Sequence, residues 1–538
     1  MLIGLTCVLP FEPRRPTIPF FGIELTLLEL VVGALAVPLA WSVRRPLLAL
    51  VRRPPLPLVF MTLFALVYLL SAAQAPAYAD LAGVFAVRMV VMAGFAWLVA
   101  CSPAGHRPAL RSLAGVACLL AAVATLEAAG LRSIDPLLDR FREMPFDLAG
   151  SRRATAFSEY PNLAAGFMMC GLVAGVGLLA ERSPSPWPAL PFSALMAAGL
   201  LATYSRGAMV AATLGLLVLS ITLATRASRR AALPVAAALA VLGVSAGLFT
   251  LTREVYRLRL GSEGTSRWYV AAYEPVETSL RLRPGELTVT PVRVTNNGRK
   301  TWSRTEAFYL TYHWWHLDRS LLEEGERTHL PHDLGPGESA LLQARVRAPS
   351  REGRFLLAWD MVHEYTTWFS DQGVPPLVIP AVVGEANAEP AADLTIPRVE
   401  SDFVWRPGRW ELWRLALAMW KERPLLGVGA DNFRRLYGPQ AGHAMWDKRV
   451  YANNLYLEVA ATTGALGLLA ACGILVSAGH LVARAVWRGQ AGAHMAAVEC
   501  GLLAAIAAHG MVDYLLASTG HYLLLALIVG IAAATAQA

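Results

Sequence analysis

The chain has 538 residues, of which 55% are apolar and only 16% charged, with a mean hydropathy of +0.45 and a net charge of +8. Soluble domains carry about 25% charged residues, so this deficit excludes an ordinary soluble protein and indicates a membrane one. The excess charge is mostly arginine and suits anionic lipid or pyrophosphate partners. Six cysteines (Cys7, Cys101, Cys118, Cys170, Cys472 and Cys500) show no CxxC or Cys/His ligand spacing. They read as small core hydrophobes rather than disulfides or zinc ligands.

In chain order, residues 1–12 are too short to cross a bilayer, which takes roughly 20 apolar residues. Apolar runs of that size follow near 22–42, 56–74, 82–101, 110–130, 160–181, 187–204, 207–225 and 231–252. Three more lie near 454–483, 494–515 and 520–537, making about eleven predicted spans. Arginines alternate between connections. Arg44, Arg45, Arg52 and Arg53 fill the first, the one at 74–80 has none, and Arg107 and Arg111 follow. Next come Arg182, then Arg226, Arg229 and Arg230, and finally Arg484 and Arg488. Counted along the spans, all fall on one face, which positive-inside bias makes cytoplasmic. The N-terminus then lies outside, an awkward start for insertion, so a first helix is expected to be missing. No basic n-region or clean cleavage site marks a signal peptide.

Three regions face the opposite, external side. The loop at 131–159 holds Arg132, Arg140, Arg142, Arg152 and Arg153 against the charge bias. They either meet an anionic ligand or pair with Asp135, Asp139, Glu143 and Asp147. The loop ends in R-R-A-T-A-F-S-E-Y-P-N at 152–162. The turn T-Y-S-R-G-A at 203–208 sets Arg206 between two apolar spans, where it needs a ligand or counter-charge, or snorkels to the interface.

The third external region is the insertion at 253–453. Between 276 and 382 it alternates with period two in runs such as L-T-V-T-P-V-R-V-T and L-L-Q-A-R-V-R-A, punctuated by Asn-Gly and Pro-Gly. That pattern predicts an antiparallel β-sandwich large enough for its own core. His313/His316 and His329/His332 form two H-x2-H pairs, but a strand turns residues three apart to opposite faces, so they read as structural or surface histidines. Trp302, Trp314, Trp315 and Trp368 read as sandwich core before sugar platform. An Ala/Pro-rich linker at 383–393 leads back towards the membrane. Around 405–433, Trp410, Trp413, Leu417 and Trp420 recur at helical spacing, predicting an amphipathic interfacial helix. It ends at Arg423-Pro424, where Gly427 and Gly429 permit a tight turn. The insertion closes on A-N-N-L-Y-L-E-V-A-A-T-T-G-A-L-G at 452–467, and H-G-M-V-D-Y follows at 509–514.

Asn453-Asn454, nine residues, Gly464, two residues, Gly467: this spacing resembles a signature of the bacterial O-antigen ligase and polymerase superfamily. That signature opens with His where this chain has Asn453. The S-R-G-A element, the 152–162 element, the arginine before E-L-W and H-G-M-V-D-Y resemble the same family, over roughly 20–250 and 405–538. The sandwich looks like an immunoglobulin-like module found beside bacterial carbohydrate enzymes. The resemblance implies a polytopic α-helical membrane protein with an inserted all-β domain. It divides into N-terminal helices (1–252), a large periplasmic loop (253–453) and C-terminal helices (454–538).

By resemblance, it is an inner-membrane glycosyltransferase that moves an undecaprenyl-pyrophosphate-linked glycan to an acceptor glycan or lipid A core. It needs no metal, cofactor, nucleotide sugar or nucleic acid. Arg206 and Arg409 are the expected pyrophosphate contacts, with Arg153, Asn162, Asn454 and Asp513 in support. Asparagine cannot accept and carry a proton at neutral pH, so either position 453 supplies no base or His443 does. Gly464 and Gly467 are expected to serve helix packing. A polysaccharide transporter or flippase, and a non-catalytic glycan-binding membrane protein, are the alternatives.

Overall fold

Each apolar run is helical, because a bilayer offers the backbone no hydrogen-bond partner outside its own segment. The computed structural model describes residues 1–15, 17–20, 23–226, 229–262, 264–318, 320–364, 366–385, 407–443, 445–489 and 492–535. The chain forms two units. One comprises Met1–Phe146, Arg152–Phe249 and Val404–Ala538, the other Asp147–Ser151 and Thr250–Phe403.

Among the described residues of the first unit, eight helices are individually long and apolar enough to cross a membrane. Leu27–Ser42 adds a ninth only together with Arg44–Arg52, from which it is bent by 76°. A straight helix would need Pro46 to donate to Ser42, and proline has no N–H. Two of the predicted spans are short, Ala189–Ala202 with 14 residues and Thr519–Ala534 with 16. At 1.5 Å per residue they cover about 21–24 Å, less than the hydrocarbon thickness. Pro161–Arg182 is the central helix, with nearly every residue buried. Gly171 lets it approach His106–Ala128 so closely that a Cβ there would run into Ala117.

The second unit is a β-sandwich. Its larger sheet runs in the order Thr328–His329, Phe308–His316, Gly353–His363, Leu377–Val383, Leu280–Leu282. The smaller runs Ser339–Arg347, Leu287–Asn296, Ala271–Pro275. Ser339–Arg347 alternates strictly between exposed and buried, as a half-solvated strand should, whereas most of Gly353–His363 is buried. Two details depart from the sequence reading. The first strand starts at Ala271, and Leu280–Leu282 pairs parallel with Ala381–Val383. Trp302, Trp314 and Trp315 are buried in the core, while Trp368 is half-buried against His313. His316 and His329 also pack on rings, those of Phe355 and Tyr309.

Candidate functional site

The helix Leu455–Trp487 is not continuous. Gly464 has φ 67° and ψ −163°, which splits the helix about two and a half turns after its start. A break exposes backbone groups that need other partners, and the turn after Arg409–Glu422 supplies them. Val428 N–H donates to Ala461 O at 2.9 Å and Gly429 N–H to Thr462 O at 3.1 Å. In return, Ala465 N–H donates to Pro424 O at 2.7 Å. A side chain at Gly464 would run into the Leu425 carbonyl, and one at Gly427 (φ 66°) into the Thr462 backbone. The two glycine motifs thus form one backbone joint. Gly464 acts as a helix break, which corrects the helix-packing role expected for it.

The joint carries a buried polar cluster that the sequence reading did not single out. Asp431, at φ 58°, accepts from Arg434 Nε (2.8 Å) and Nη2 (2.7 Å) and from Arg435 Nη1 (2.7 Å). Arg434 also donates to Lys448 O at 3.0 Å, and its guanidinium sits 5.5 Å from the Tyr451 ring centroid. Tyr451 stacks obliquely on Tyr514 at 4.8 Å. Burial, followed by the Asp431 charge, pushes the Tyr451 phenol well above its ordinary range. Burial opposes the Arg434 charge, yet Tyr451 and Asp431 outweigh it and hold the guanidinium charged. The signal available in the sequence was A-D-N-F-R-R, an aspartate three and four residues before two arginines on one helical face. Glu458 is likewise buried, with Oε2 accepting from Ala452 N–H at 2.7 Å.

The 131–159 loop resolves partly into pairing. Arg142 is fully buried and meets Glu127, Asp135 and Asp139, while Arg152 reaches Asp135 at 3.0 Å. Glu127 Oε2 also accepts from the Thr155 and Ala156 N–H groups. Glu143 of this loop reaches across to Arg449 at 2.8 Å.

The predicted residues fall into three groups. Arg153 donates to Asn162 Oδ1 and to Thr203 O, each at 3.0 Å, so these two meet beside the turn leading to Arg206. Arg206 is the half-buried first residue of Arg206–Arg226, and Gly207 next to it packs on Val512 and His509. Asp513 lies 3.7 Å from His509 Nε2 and its Oδ1 accepts from Tyr514 N–H at 2.8 Å. Arg409 opens the helix Arg409–Glu422, half-buried, and its charge acts on His509. Arg153, Asn162, Arg206, Arg409 and Asp513 therefore gather around the His509 end of one helix.

Asn454 has a different occupation. It is the N-cap of Leu455–Trp487, accepting from Tyr456 and Leu457 N–H at 3.0 Å and donating to Met511 O at 2.9 Å. A side chain so committed holds the helix start in place. Asn453 before it is half-buried at φ 50°, a left-handed conformation in which asparagine and histidine are both enriched. His443 is exposed on the loop after Phe433–Gln440, its backbone N–H donating to Gly438 O at 2.9 Å. Among the described residues, no group of three His, Cys, Asp or Glu side chains is placed to hold a metal.

No curated protein matches the chain. A family model described as O-Antigen ligase matches residues 385–472, the stretch that carries the Arg409 helix, the docked turn and the Asn453 motif. Over those residues this polytopic helical membrane protein is similar to the O-antigen ligase family, which agrees with the superfamily that its motifs resemble.

Proposed function

We propose that the membrane unit transfers a glycan from undecaprenyl pyrophosphate to an acceptor hydroxyl at the periplasmic face of the bacterial inner membrane. The observation that carries this reading is the O-antigen ligase match on the segment forming the backbone joint. In the reaction, the acceptor oxygen attacks the anomeric carbon, the bond to the lipid pyrophosphate breaks with its electron pair staying on the pyrophosphate, and the hydroxyl proton passes to water or to the departing phosphate oxygen. Charge grows on the departing pyrophosphate, where guanidinium groups bind phosphate oxygens in pairs and remain protonated. Arg206 and Arg409 fill this role, with Arg153 held ready by Asn162. Asp513 keeps the arginine-rich site from being uniformly cationic. Asn453 binds a sugar or phosphate oxygen without taking a proton, which weights the reading towards polymerase or a divergent transferase over a strict ligase.

The test is genetic and chemical. Deleting the gene should deplete surface polysaccharide, and plasmid copies with Arg206→Ala or Arg409→Ala should restore less than a tenth of it. Accumulated single-repeat glycans mark a polymerase, and long unattached lipid-linked chains a ligase. Full restoration by both variants would contradict the assigned pyrophosphate contacts.

A further inference from the structure

Beside the arginine-rich region lies a cavity of about 240 Å³. Its polar lining includes Glu12, Arg14, Ser158, Glu159, Ser518 and His521, and Phe157 and Phe167 contribute apolar walls. Glu12 is committed, its Oε2 accepting from Thr519 N–H at 3.0 Å and its Oε1 from the Thr26 hydroxyl at 3.4 Å. Glu159 is not: among the described residues no hydrogen bond or ion pair holds its half-buried carboxylate. His521 is buried, with Nδ1 on Ser518 Oγ at 2.9 Å and Nε2 turned against Gly166. Buried polar groups are normally satisfied, so an uncommitted, half-buried carboxylate lining a cavity calls for a ligand.

The chemistry of the lining narrows that ligand. Two carboxylates repel phosphate and disfavour a lipid tail, so this is not where the donor pyrophosphate sits. No metal-holding group is present among the described residues. What remains is a neutral molecule rich in O–H donors with an apolar face for the phenylalanines. The volume is below the roughly 300–1,000 Å³ of drug-sized pockets, room for one sugar ring rather than a chain. The location suits an acceptor. Glu159 lies six residues after Arg153 and three before Asn162, and the charges of Arg14, Arg449 and Arg434 act on it. Burial still prevails over those arginines and raises the Glu159 carboxyl above the usual range, as it does that of Glu12.

We propose that this cavity is the acceptor subsite, taking one neutral, hydroxyl-bearing sugar ring that donates a hydroxyl to Glu159. The proposal rests on the transferase reading above, and its test separates the two. Full-length protein in nanodiscs is presented with methyl α-D-glucopyranoside, methyl β-D-galactopyranoside and methyl α-L-rhamnopyranoside, with binding read by saturation-transfer NMR. Undecaprenyl pyrophosphate binding is measured in parallel. At least one glycoside should bind the wild type, at least tenfold more weakly in Glu159→Gln, and within about threefold of wild type in Glu159→Asp. Undecaprenyl pyrophosphate should bind all three proteins within twofold. Ser158→Ala, which removes a hydroxyl and no charge, should also weaken the glycoside and serves if Glu159→Gln loses its thermal transition. No glycoside bound by the wild type, or equal binding by the folded variants, overturns the subsite. Loss of undecaprenyl pyrophosphate alone in Glu159→Gln overturns it too, by making Glu159 a donor contact. Glycoside binding as expected, with no undecaprenyl pyrophosphate bound by the wild type, leaves the cavity standing and sinks the transferase reading.

Discussion

Two residues of the joint test how much the backbone itself carries. Gly464 sits at φ 67° with the Leu425 carbonyl where a Cβ would go, so alanine there meets both conformational strain and a backbone clash. Its ψ of −163° puts it in a region essentially reserved for glycine, where another residue is strained by roughly 1–3 kcal/mol, and the clash adds to it because a carbonyl cannot swing aside like a side-chain tip. Gly464→Ala should lower the thermal midpoint of the detergent-solubilised protein and abolish polysaccharide restoration, with helix content by circular dichroism nearly unchanged. Asn453 is the milder case. Its φ of 50° suits asparagine or histidine, so Asn453→His should be neutral in stability while Asn453→Val costs about 1–2 kcal/mol. If the histidine variant also raises transfer, the base missing at this position limits the rate.

Segments show which signals reach the sequence. The helices were legible because an apolar run has one low-energy form in a bilayer, while hydropathy alone does not fix the ends of Ala189–Ala202 and Thr519–Ala534. The strands were legible from period-two alternation. The joint was not, because GxxG spacing reads equally as a close-packing helix face, and only the turn lying across it makes Gly464 a break. The role of Asn454 was similarly hidden: an asparagine before a helix can be a cap or a ligand contact, and three hydrogen bonds decide for the cap. In the 131–159 loop, the buried Arg142 answers part of the arginine excess with Glu127, Asp135 and Asp139. Removing one partner of a buried pair strands the other charge and costs about 3–5 kcal/mol, whereas an apolar pair of similar volume is often tolerated. Glu127→Gln should therefore destabilise strongly, and Glu127→Leu with Arg142→Met less than the two single changes summed, as read from thermal unfolding in detergent.

For the molecule as a whole, two units with separate cores should respond separately to acid, and the sandwich contains the groups to show it. His363 is buried, shares a hydrogen bond with the Tyr269 hydroxyl through Nδ1 at 3.0 Å and stacks on Phe308 at 4.1 Å. Burial, with the nearby Lys300 charge, lowers its pKa to about 4. The folded sandwich then binds fewer protons here than the unfolded chain between pH 6.5 and 4, so this contribution is intact above 6.5 and lost as pH falls through that window. Asp360, on the same strand, runs the other way. Burial raises its pKa to about 6, against the hydrogen bonds from Ser370 N–H and the Tyr273 hydroxyl. Its contribution is present in acid and lost as pH rises from 3.8 to 6. In the wild type the two oppose each other between pH 4 and 6, and stability there should be nearly flat. Asp360→Asn removes the acid-favouring member, so stability should fall from pH 6 to 4.5 by on the order of a few kcal/mol. His363→Phe removes the acid-disfavouring member, and stability should rise over the same interval. Hydrogen exchange on the full chain, corrected for intrinsic rates, reads both through peptides covering 353–363, while peptides from Pro161–Arg182 report the membrane unit. Opposite slopes in the first set with no change in the second would establish that the sandwich unfolds as its own unit; parallel slopes in both would mean that the two cores share one transition.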